Sequence, residues 1–477
     1  MNGRRQRVWA GACVGVATSS VLLCTLASCE ATDPTPPASV DAFRAEGGVL
    51  HDEQGREILL RGLNARVLGL FDVTFDDGRT PLETIPPFVE EDCRVMAEDL
   101  GMNHLRLPVN WSAIEPVQGT YDEAYLSRIL AIADACSKHG ISTLVDLHQD
   151  AFSKEIGEDG APLWAIVPPP PELLEGPLED LGTRRTSAPV MNAFDSFFND
   201  ANGVETAYAK MAAWLAAGID GKPGVVGLEL MNEPVLIIFE GRLDDFHDRV
   251  AAEVRKVAPE LTVFFEPNSL RNLTDRADVR RPVAFDDAVY APHVYTDVFE
   301  DGWASMDAQA IRDSVTLVRA EADDLGATPY VGEFGAAPDA NGLAYDRAAL
   351  DAFDRERISA AFWVYEEWSQ GSWGLYDTAA NGERGPLRAD VADAVARPFP
   401  MAVAGKLDAF AYEAATRTLT VQIEAASGGT HVLSVPGRVY PSGVVITCDG
   451  TAVDATPSGG RVEVGCAGST LVMAPAK

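Results

Sequence analysis

Two glutamates stand out among the residues whose types and settings could do chemistry. Glu233 lies in the segment Leu230–Pro234, which reads Leu-Met-Asn-Glu-Pro, and Glu333 lies in Val331–Gly335. A glycosidic bond is hydrolysed with retention when one carboxyl group protonates the leaving oxygen and a second, roughly 5 Å away, attacks the sugar. In a water-poor cleft one glutamate can have a raised pKa and stay protonated while its neighbour stays ionised. The pair is therefore a candidate for glycosidase chemistry.

That chemistry requires both glutamates to reach one pocket, and the pattern of apolar segments provides for it. From about residue 45, short apolar runs alternate with longer amphipathic stretches, as in repeated βα units. Eight strands are predicted, at Ile58–Asn64, Asn103–Leu107, Ser142–Leu147, Val226–Leu230, Thr262–Glu266, Ala288–Val294, Thr328–Glu333 and Ala360–Val364.

Amphipathic helices are predicted between these strands, at Glu90–Leu100, Tyr121–His139, Glu205–Ala217, Asp244–Val257 and Ala308–Leu325. Eight strands with intervening helices indicate an α/β fold, a (β/α)8 TIM barrel, in which catalytic groups project from the C-terminal ends of strands. Glu233 follows the fourth predicted strand and Glu333 ends the seventh. The alternative is an open doubly wound sheet, but no GxGxxG loop follows the first strand.

The barrel is predicted to span residues 45–400, with a separate domain after it. The segment Gly48–Leu60, with a turn at Asp52–Gly55, is interpreted as a hairpin that could close the barrel floor. After Arg397–Pro400 alternating segments are separated by Gly, Ser, Pro and Asp, which is typical of a small antiparallel β-sandwich over residues 401–477. Its predicted strands are Thr418–Ile423, His431–Val435, Val444–Cys448, Arg461–Val464 and Thr470–Met473.

Residues 1–28 have the layout of a secretory signal, with three arginines followed by the apolar stretch Val8–Leu26. Leu26–Cys29 resembles a bacterial lipobox, which predicts lipidation of Cys29 and a tether over residues 29–44. The alternative is ordinary cleavage nearby, with Cys29 unmodified. We therefore expect an exported protein, either a lipoprotein attached to the membrane of the bacterial cell envelope through its lipid anchor or a secreted protein.

The charge of the chain excludes several classes of partner. It carries 72 acidic and 38 basic residues, a formal net charge of −34. Binding to a phosphate backbone needs clustered Lys and Arg, so we expect no nucleic-acid partner. A neutral or polar substrate fits better, and we expect a monomer.

Four cysteines remain outside the leader segment, and export would allow them to form disulfides. Cys448 and Cys466 lie in the same small C-terminal unit, and we predict that they are bonded to each other. Cys93 and Cys136 form the second predicted pair. No CxxC pair or histidine cluster suggests zinc, and we expect neither a metal nor an organic cofactor.

The residues around the two glutamates resemble glycoside hydrolase family 5. The resemblance assigns Glu233 as the acid/base and Glu333 as the nucleophile. It implies that Asn232 binds the sugar 2-hydroxyl and that Arg106 holds the nucleophile ionised. The further positions that match are expected to bind substrate together with Arg106 and Asn232; they are Asp146 and His148 on strand three, His293 and Tyr295 on strand six, and Trp363 on strand eight, under the sugar.

Within that family the chain most resembles endoglycoceramidases, which cut between the glycan and the ceramide of glycosphingolipids. The segments that carry this resemblance are Asp146–Ser153, Arg397–Pro400 and the C-terminal β-module. Gly69–Arg79 and Gly157–Trp164 look most like the subgroup that acts on galactosylceramide-rooted, 6-gala glycolipids. Glucosylceramide-cleaving members carry a lysine shortly after the strand-one asparagine, whereas this chain has Arg66 after Asn64.

A lipid substrate also needs an apolar surface for its hydrocarbon chains. Val235–Phe239 and Trp164–Pro171 are apolar loops at positions where barrel loops usually become polar. Our hypothesis is that they form a cradle for ceramide, with Leu236 and Ile238 inside it. The alternative is that the two loops pack on each other or on the barrel.

Two other functions compete with this interpretation. The first is a family 5 hydrolase acting on another β-glycoside, such as a β-glucan or a steryl glucoside. The second is a surface lipoprotein that binds glycans without cutting them, although both glutamates are present. Serine hydrolase chemistry is not supported, since the sequence has no GxSxG elbow.

Overall fold

The computed structural model describes residues 42–179, 181–235, 242–275, 281–296, 298–299, 306–368, 373–424, 426 and 428–476. The predicted signal, Cys29 and the tether up to residue 41 lie outside this part of the chain, as do Leu236 and Ile238. Within it, none of the helices has the length and apolar character needed to cross a bilayer.

The N-terminal described segment forms three short strands, β1 (Phe43–Glu46), β2 (Val49–Asp52) and β3 (Glu57–Ile58). Eight parallel strands follow and close into a barrel, which confirms the predicted fold. They are β4 (Arg61–Asn64), β5 (His104–Val109), β6 (Ser142–Leu147), β7 (Val225–Glu229), β8 (Thr262–Phe265), β9 (Ala288–Tyr290), β10 (Thr328–Phe334) and β11 (Ser359–Phe362). All are fully buried, because helices cover their outer side.

Three of the helices that surround the barrel begin after an aspartate whose side chain caps them, namely Asp122, Asp307 and Asp339. Asp122, for example, accepts hydrogen bonds from the backbone N–H groups of Ala124 and Tyr125, at the start of the second predicted helix. The helices are α1 (Glu90–Arg94), α2 (Trp111–Ile114), α3 (Glu123–Ser137), α4 (Leu181–Arg185), α5 (Ala188–Phe198), α6 (Val204–Ile219), α7 (Arg242–Arg255), α8 (Leu270–Thr274), α9 (Ala308–Leu325), α10 (Ala340–Glu356) and α11 (Ala389–Val395). The sequence analysis did not predict six of these helices, namely α2, α4, α5, α8, α10 and α11.

The β-sandwich is built from both ends of the chain. One sheet has the order β1-β2-β3-β14-β17-β20 and the other β15-β16-β21-β18-β19. The strands after the barrel are β12 (Tyr376–Thr378), β13 (Arg384–Leu387), β14 (Pro400–Val403), β15 (Lys406–Glu413), β16 (Thr418–Glu424), β17 (Thr430–Ser434), β18 (Val444–Cys448), β19 (Thr451–Val453), β20 (Arg461–Gly465) and β21 (Thr470–Pro475).

This sheet order adds the N-terminal hairpin to the predicted C-terminal sandwich. Ala402 of β14 pairs with Ile58 of β3, so the N-terminal hairpin continues the C-terminal sheet. The apolar residues of the hairpin and of the C-terminal strands also belong to the same buried cluster as the barrel. The sequence pattern identified the hairpin, but the partner of its edge lies too far along the chain to be read from local periodicity.

Arg461 and three glycines join the sandwich to the barrel. The Arg461 guanidinium donates to the carbonyl oxygens of His139 and Gly140, each at 2.9 Å. A Cβ atom on Gly140 would overlap that guanidinium. A Cβ atom on Gly101 would collide with Pro436, and one on Gly460 would collide with the backbone of Ala97, just after α1. The two units therefore approach each other closely at positions where glycine leaves room for the other unit.

Both predicted disulfide pairs are bonded in the structure. Cys93 of α1 joins Cys136 of α3, with 5.0 Å between their Cα atoms. Cys448 joins Cys466 within the sandwich, with a Cα separation of 5.8 Å.

We predict that Gly140→Ala destabilises the docking of the sandwich onto the barrel. Gly140 has a φ of 68°, a conformation that costs an alanine about 1 to 2 kcal/mol, and the added methyl group also displaces Arg461. Gly55→Ala is the matched control, because Gly55 has a φ of 72° and nothing within 4 Å of the added atom. The thermal unfolding midpoint should fall further for Gly140→Ala than for Gly55→Ala. Equal falls would contradict a docking role for Arg461.

Candidate active site

The C-terminal ends of the barrel strands bring together every described residue that the sequence analysis assigned to the site. Arg106 contributes from β5, Asp146 and His148 from the end of β6, and Asn232 and Glu233 from the loop after β7. The remaining four follow β9, lie in β10 or follow β11; they are His293, Tyr295, Glu333 and Trp363.

The carboxyl groups of Glu233 and Glu333 both lie next to one nitrogen of His293. Its Nδ1 lies 2.8 Å from Oε1 of Glu233 and 3.4 Å from Oε2 of Glu333. One oxygen of each carboxyl group lies within 4.8 Å of the other. A retaining glycosidase places its carboxyl groups about 5 to 5.5 Å apart, whereas an inverting enzyme needs about 6.5 to 9.5 Å. The separation fits a retaining mechanism.

Arg106 organises the floor of this site and has no exposed surface. Its guanidinium bonds to Glu333 Oε1 at 2.8 Å and to Glu229 Oε2 at 2.7 Å. It also contacts Glu266 at 3.3 Å and Asp146 at 3.1 Å. One buried cation thus holds four carboxylates, and a charge buried in this way is tolerable only with such partners.

Glu333 is held from two sides. Arg106 donates to one carboxylate oxygen and the hydroxyl group of Tyr295 donates to the other, at 2.8 Å each. Burial nevertheless raises the pKa of Glu333, outweighing the opposite effects of His293 and Arg106, and the charge of Glu233 adds to the rise.

Glu233 has a cationic environment and a φ of 39°, in the left-handed region. Its carboxyl group accepts a hydrogen bond from Asn272 at 3.1 Å and lies 3.8 Å from Arg185. Burial favours the neutral carboxyl, but the hydrogen bond and charge of His293, together with Arg185, outweigh burial and lower the pKa of Glu233.

The glutamate with the raised pKa is thus the nucleophile candidate, Glu333, and not the acid/base candidate, Glu233. In the free protein the pKa of Glu233 is lowered and that of Glu333 is raised. The physical reason is that His293 and Arg185 lie beside Glu233. His293 follows β9, and Arg185 ends α4, a helix inserted after β6. Local sequence around Glu233 carries no sign of either cation.

Three of the predicted substrate-binding residues, Arg106, Asp146 and His293, have no exposed surface. Asp146 Oδ2 lies 2.6 Å from His148 Nδ1. Asp146 therefore orients His148 from below rather than touching a substrate, which corrects its assignment. His148 stacks on Trp363, with 5.7 Å between ring centroids and 12° between planes.

Three aromatic side chains extend from Glu333 toward the solvent, and we call them the aromatic wall. They are Tyr295, Phe299 and Trp373. Tyr295 and Phe299 have ring centroids 5.3 Å apart, and Phe299 stacks on Trp373 at 5.7 Å. Phe299 is 50% exposed. An apolar surface thus begins at the hydroxyl group that holds Glu333.

The Trp164–Pro171 loop does not form the open cradle that we hypothesised. Trp164 packs edge-on against Trp111 at 5.2 Å, and its indole N–H donates to the Glu115 carbonyl oxygen. Ile166 is buried. The alternative interpretation, packing on the barrel, describes Trp164 and Ile166, while most of the Val235–Phe239 segment lies outside the described residues.

Several site residues were missed by the sequence analysis. Asn64, Glu229 and Glu266 lie at the ends of predicted strands, so the rule that chemistry collects at C-terminal strand ends could have found them. Asn272 and Arg185 come from α8 and α4, which have no distinctive pattern. Asp150 forms an ion pair with Arg185 at 2.8 Å. This contact could be found only in the structure.

Three clusters among the described residues are compact enough to surround a cation: His148 with Asp150 and Asp159, Glu229 with Glu266 and His293, and Glu233 with His293 and Glu333. Arg106 lies against Glu229, Glu266 and Glu333, and Arg185 lies against Asp150 and Glu233. These guanidinium groups already supply the positive charge, and we assign no metal ligand in the site.

Comparison with known proteins extends this geometry to a family. A family model described as cellulase (glycosyl hydrolase family 5) matches residues 52–369, and that of the glycoside hydrolase family 5 C-terminal domain matches residues 397–471. The chain belongs to glycoside hydrolase family 5. As a family 5 member it is a retaining glycosidase, and the resemblance inferred from its motifs is confirmed.

Relatives within family 5 match nearly the whole chain. Endoglycoceramidase I of Rhodococcus hoagii (strain 103S) is 29% identical over 91% of this chain and 88% of its own length. The crystal structure of endogalactoceramidase covers 91% of this chain and 100% of its own, with a TM-score of 0.75 and 25% identity. Endo-glycoceramidase II from Rhodococcus sp. has the same fold, with a TM-score of 0.75, 24% identity, and coverage of 92% and 100%.

Proposed function

We propose that this family 5 enzyme is an endoglycoceramidase that hydrolyses the β-glycosidic bond between an oligosaccharide and ceramide. The observation that carries the proposal is the distance between Glu233 and Glu333. One carboxyl oxygen of each lies within 4.8 Å of the other, next to His293. Endoglycoceramidase I, which matches nearly the full chain, supports the choice of substrate class.

In the proposed mechanism Glu333 attacks the anomeric carbon while Glu233 protonates the glycosidic oxygen. The C–O bond to ceramide breaks and a covalent glycosyl-enzyme forms. Glu233 then removes a proton from water, which attacks the anomeric carbon and releases Glu333. Arg106 and Tyr295, both bonded to Glu333, keep its oxygens oriented for the attack.

The sugar at the cleaved position is proposed to lie on the Trp363 ring, beside His148. The Asn232 amide is positioned by Arg106, which donates to its oxygen at 2.8 Å, and by the Gln149 carbonyl oxygen, which accepts from its nitrogen at 3.0 Å. Held in this way, Asn232 has hydrogen-bonding capacity left for the sugar 2-hydroxyl next to Glu333.

We propose further that the sugar attached to ceramide is galactose. The endogalactoceramidase structure that covers the whole barrel and sandwich supports this choice. Arg66 stands where a lysine is expected in glucosylceramide-cleaving members. It is engaged by protein groups instead, since it pairs with Glu83 and Glu367 and lies over the Phe71 ring at 4.2 Å.

Product analysis tests this function. Purified protein should release intact oligosaccharide and ceramide from galactosyl-linked glycolipids, faster than from glucosyl-linked glycolipids, as measured by mass spectrometry. Glu333→Gln should release nothing. Glu233→Gln should lose about 10²- to 10⁴-fold on glycolipid but still form the intermediate from a dinitrophenyl glycoside, and azide should restore its turnover.

Other products would identify another function. Cleavage of a β-glucan or a steryl glucoside without release of ceramide would favour the other glycosidase. Binding of glycolipid without turnover, unchanged in Glu333→Gln, would favour a glycan-binding lipoprotein.

The aromatic wall is proposed to contact the ceramide. Phe299→Ser should raise KM for a glycolipid several-fold and leave the hydrolysis of a soluble aryl glycoside unchanged, because only the lipid touches Phe299. Val445→Ser is the matched control, since Val445 is also exposed but lies in the sandwich. Parallel losses on both substrates would argue against the wall as a lipid contact.

We also propose that the protein acts as an exported monomer anchored through a lipid on Cys29. The lipobox-like segment Leu26–Cys29 supports this proposal. Cys29→Ser should abolish the incorporation of labelled palmitate and move the activity from the membrane fraction to the soluble fraction. Unchanged membrane association in this variant would contradict the anchor.

A further inference from the structure

Glu266 is a completely buried carboxyl group, directly after β8, to which the mechanism above gives no role. Its Oε1 lies 3.2 Å from His293 Nε2 and 3.3 Å from Arg106 Nη2. Its Oε2 is buried without a hydrogen-bond partner. A buried carboxyl group with one oxygen that accepts no hydrogen bond lowers the stability of the fold. Such a group therefore calls for an explanation in terms of its neighbours.

The group that Glu266 serves is His293, because both nitrogens of this imidazole face carboxyl oxygens. Nε2 faces Glu266, and Nδ1 faces Glu233 at 2.8 Å and Glu333 at 3.4 Å. A neutral imidazole has an N–H group on only one nitrogen, whereas the imidazolium has one on each. Pairing both nitrogens with ionised carboxylates therefore requires the doubly protonated ring.

We infer that Glu266 is a positioning residue that stores a proton on His293 for delivery to Glu233. The inference rests on the proposed role of Glu233 as the acid. When substrate fills the cleft, the proton moves from Nδ1 of His293 to Oε1 of Glu233, so that an N–H bond breaks and an O–H bond forms. His293 becomes neutral and Glu233 becomes the carboxylic acid that the first step needs.

The transfer balances over the full cycle. Glu233 gives a proton to the ceramide oxygen as the glycosidic bond breaks, and takes one from water in the second step. That proton then returns to His293 Nδ1. Expulsion of water by an apolar aglycone favours the neutral Glu233–His293 pair over the charged pair, because burial disfavours charges.

The charges around His293 agree with such a store. Burial opposes the charged ring, but the charges of Glu266 and Glu333, the hydrogen bond to Glu233 and the short ion-pair contact with Glu266 outweigh it, and the pKa of His293 lies well above its usual value. Burial also raises the pKa of Glu266. The Glu266–His293 pair therefore holds a shared proton more tightly than an isolated imidazole would.

Other polar groups close to the ring act through these carboxylates or through its backbone. Arg106 contacts Glu266 and Glu333, and the hydroxyl group of Tyr295 bonds to Glu333. Arg185 lies 3.8 Å from Glu233. Arg271 reaches the carbonyl oxygen of His293 at 3.5 Å, and the Asn272 side-chain oxygen accepts from its backbone N–H.

Glu229 provides a matched control. It is as buried as Glu266, ends the neighbouring strand and belongs to the same compact cluster. Its carboxyl group bonds to Arg106 Nε at 2.7 Å rather than to His293. Glu229→Gln and Glu266→Gln therefore remove the same buried charge, and only the second removes the partner of the imidazole.

The first measurement is the pH dependence of kcat/KM on a soluble aryl glycoside. Loss of the negative charge of Glu266 weakens the hold of His293 on its proton, so the alkaline limb should move to lower pH by about 1 to 3 units. The limb of Glu229→Gln should move less than half as far. Glu266→Asp, which keeps the charge but shortens the reach, should give an intermediate shift and provides a second variant if Glu266→Gln does not fold.

The second measurement is ¹⁵N NMR of protein labelled at histidine, with His293 assigned by His293→Asn. At pH 7.5 His293 should be an imidazolium in the unsubstituted protein and in Glu229→Gln, and neutral in Glu266→Gln. A neutral His293 in the unsubstituted protein, or equal shifts of the alkaline limb in the two glutamine variants, would overturn the inference. NMR needs no turnover, so a protein that cleaves no glycoside would refute the proposed function without deciding the state of His293.

Discussion

Arg106 carries a positive charge in the middle of the barrel, where none of its surface reaches solvent, and the site is arranged around this charge. Its carboxylate partners are Asp146, Glu229, Glu266 and Glu333. Removing a guanidinium from water costs several kcal/mol unless such partners surround it. Each partner comes from a different strand, so the charge is compensated only when the barrel has closed. The position of the nucleophile is therefore a consequence of the fold as a whole.

Four carboxylates around one guanidinium leave negative charge that other groups must balance. His148 and His293 do so, because the carboxylates beside them outweigh their burial and hold both of their pKa values well above the usual value. One of these imidazoles, His293, is the group that touches both catalytic candidates. The electrostatics of Glu233 and Glu333 are thus set by the buried charged groups that surround them.

The catalytic groups and the contacts with the sandwich lie at different parts of the barrel. The C-terminal strand ends carry the carboxylates, the imidazoles and the aromatic wall. The sandwich packs against other parts of the barrel. Small residues such as Gly140, which lies against the Arg461 guanidinium, permit this close packing. Strands from both ends of the chain form one sheet of that sandwich, so the termini are tied together away from the catalytic groups.

Much of this architecture could be predicted from the sequence, because periodicity and strand ends are local properties. The eight barrel strands follow from apolar runs, and Glu233 and Glu333 could be assigned to one pocket because parallel strands end at the same rim. The pairing of β3 with β14, the packing of Trp164 on Trp111, and the approach of Arg185 to Glu233 were decided by the tertiary structure alone. These contacts join residues far apart in the chain. A pKa depends on charges within a few ångströms, and their arrangement exists only in the folded chain.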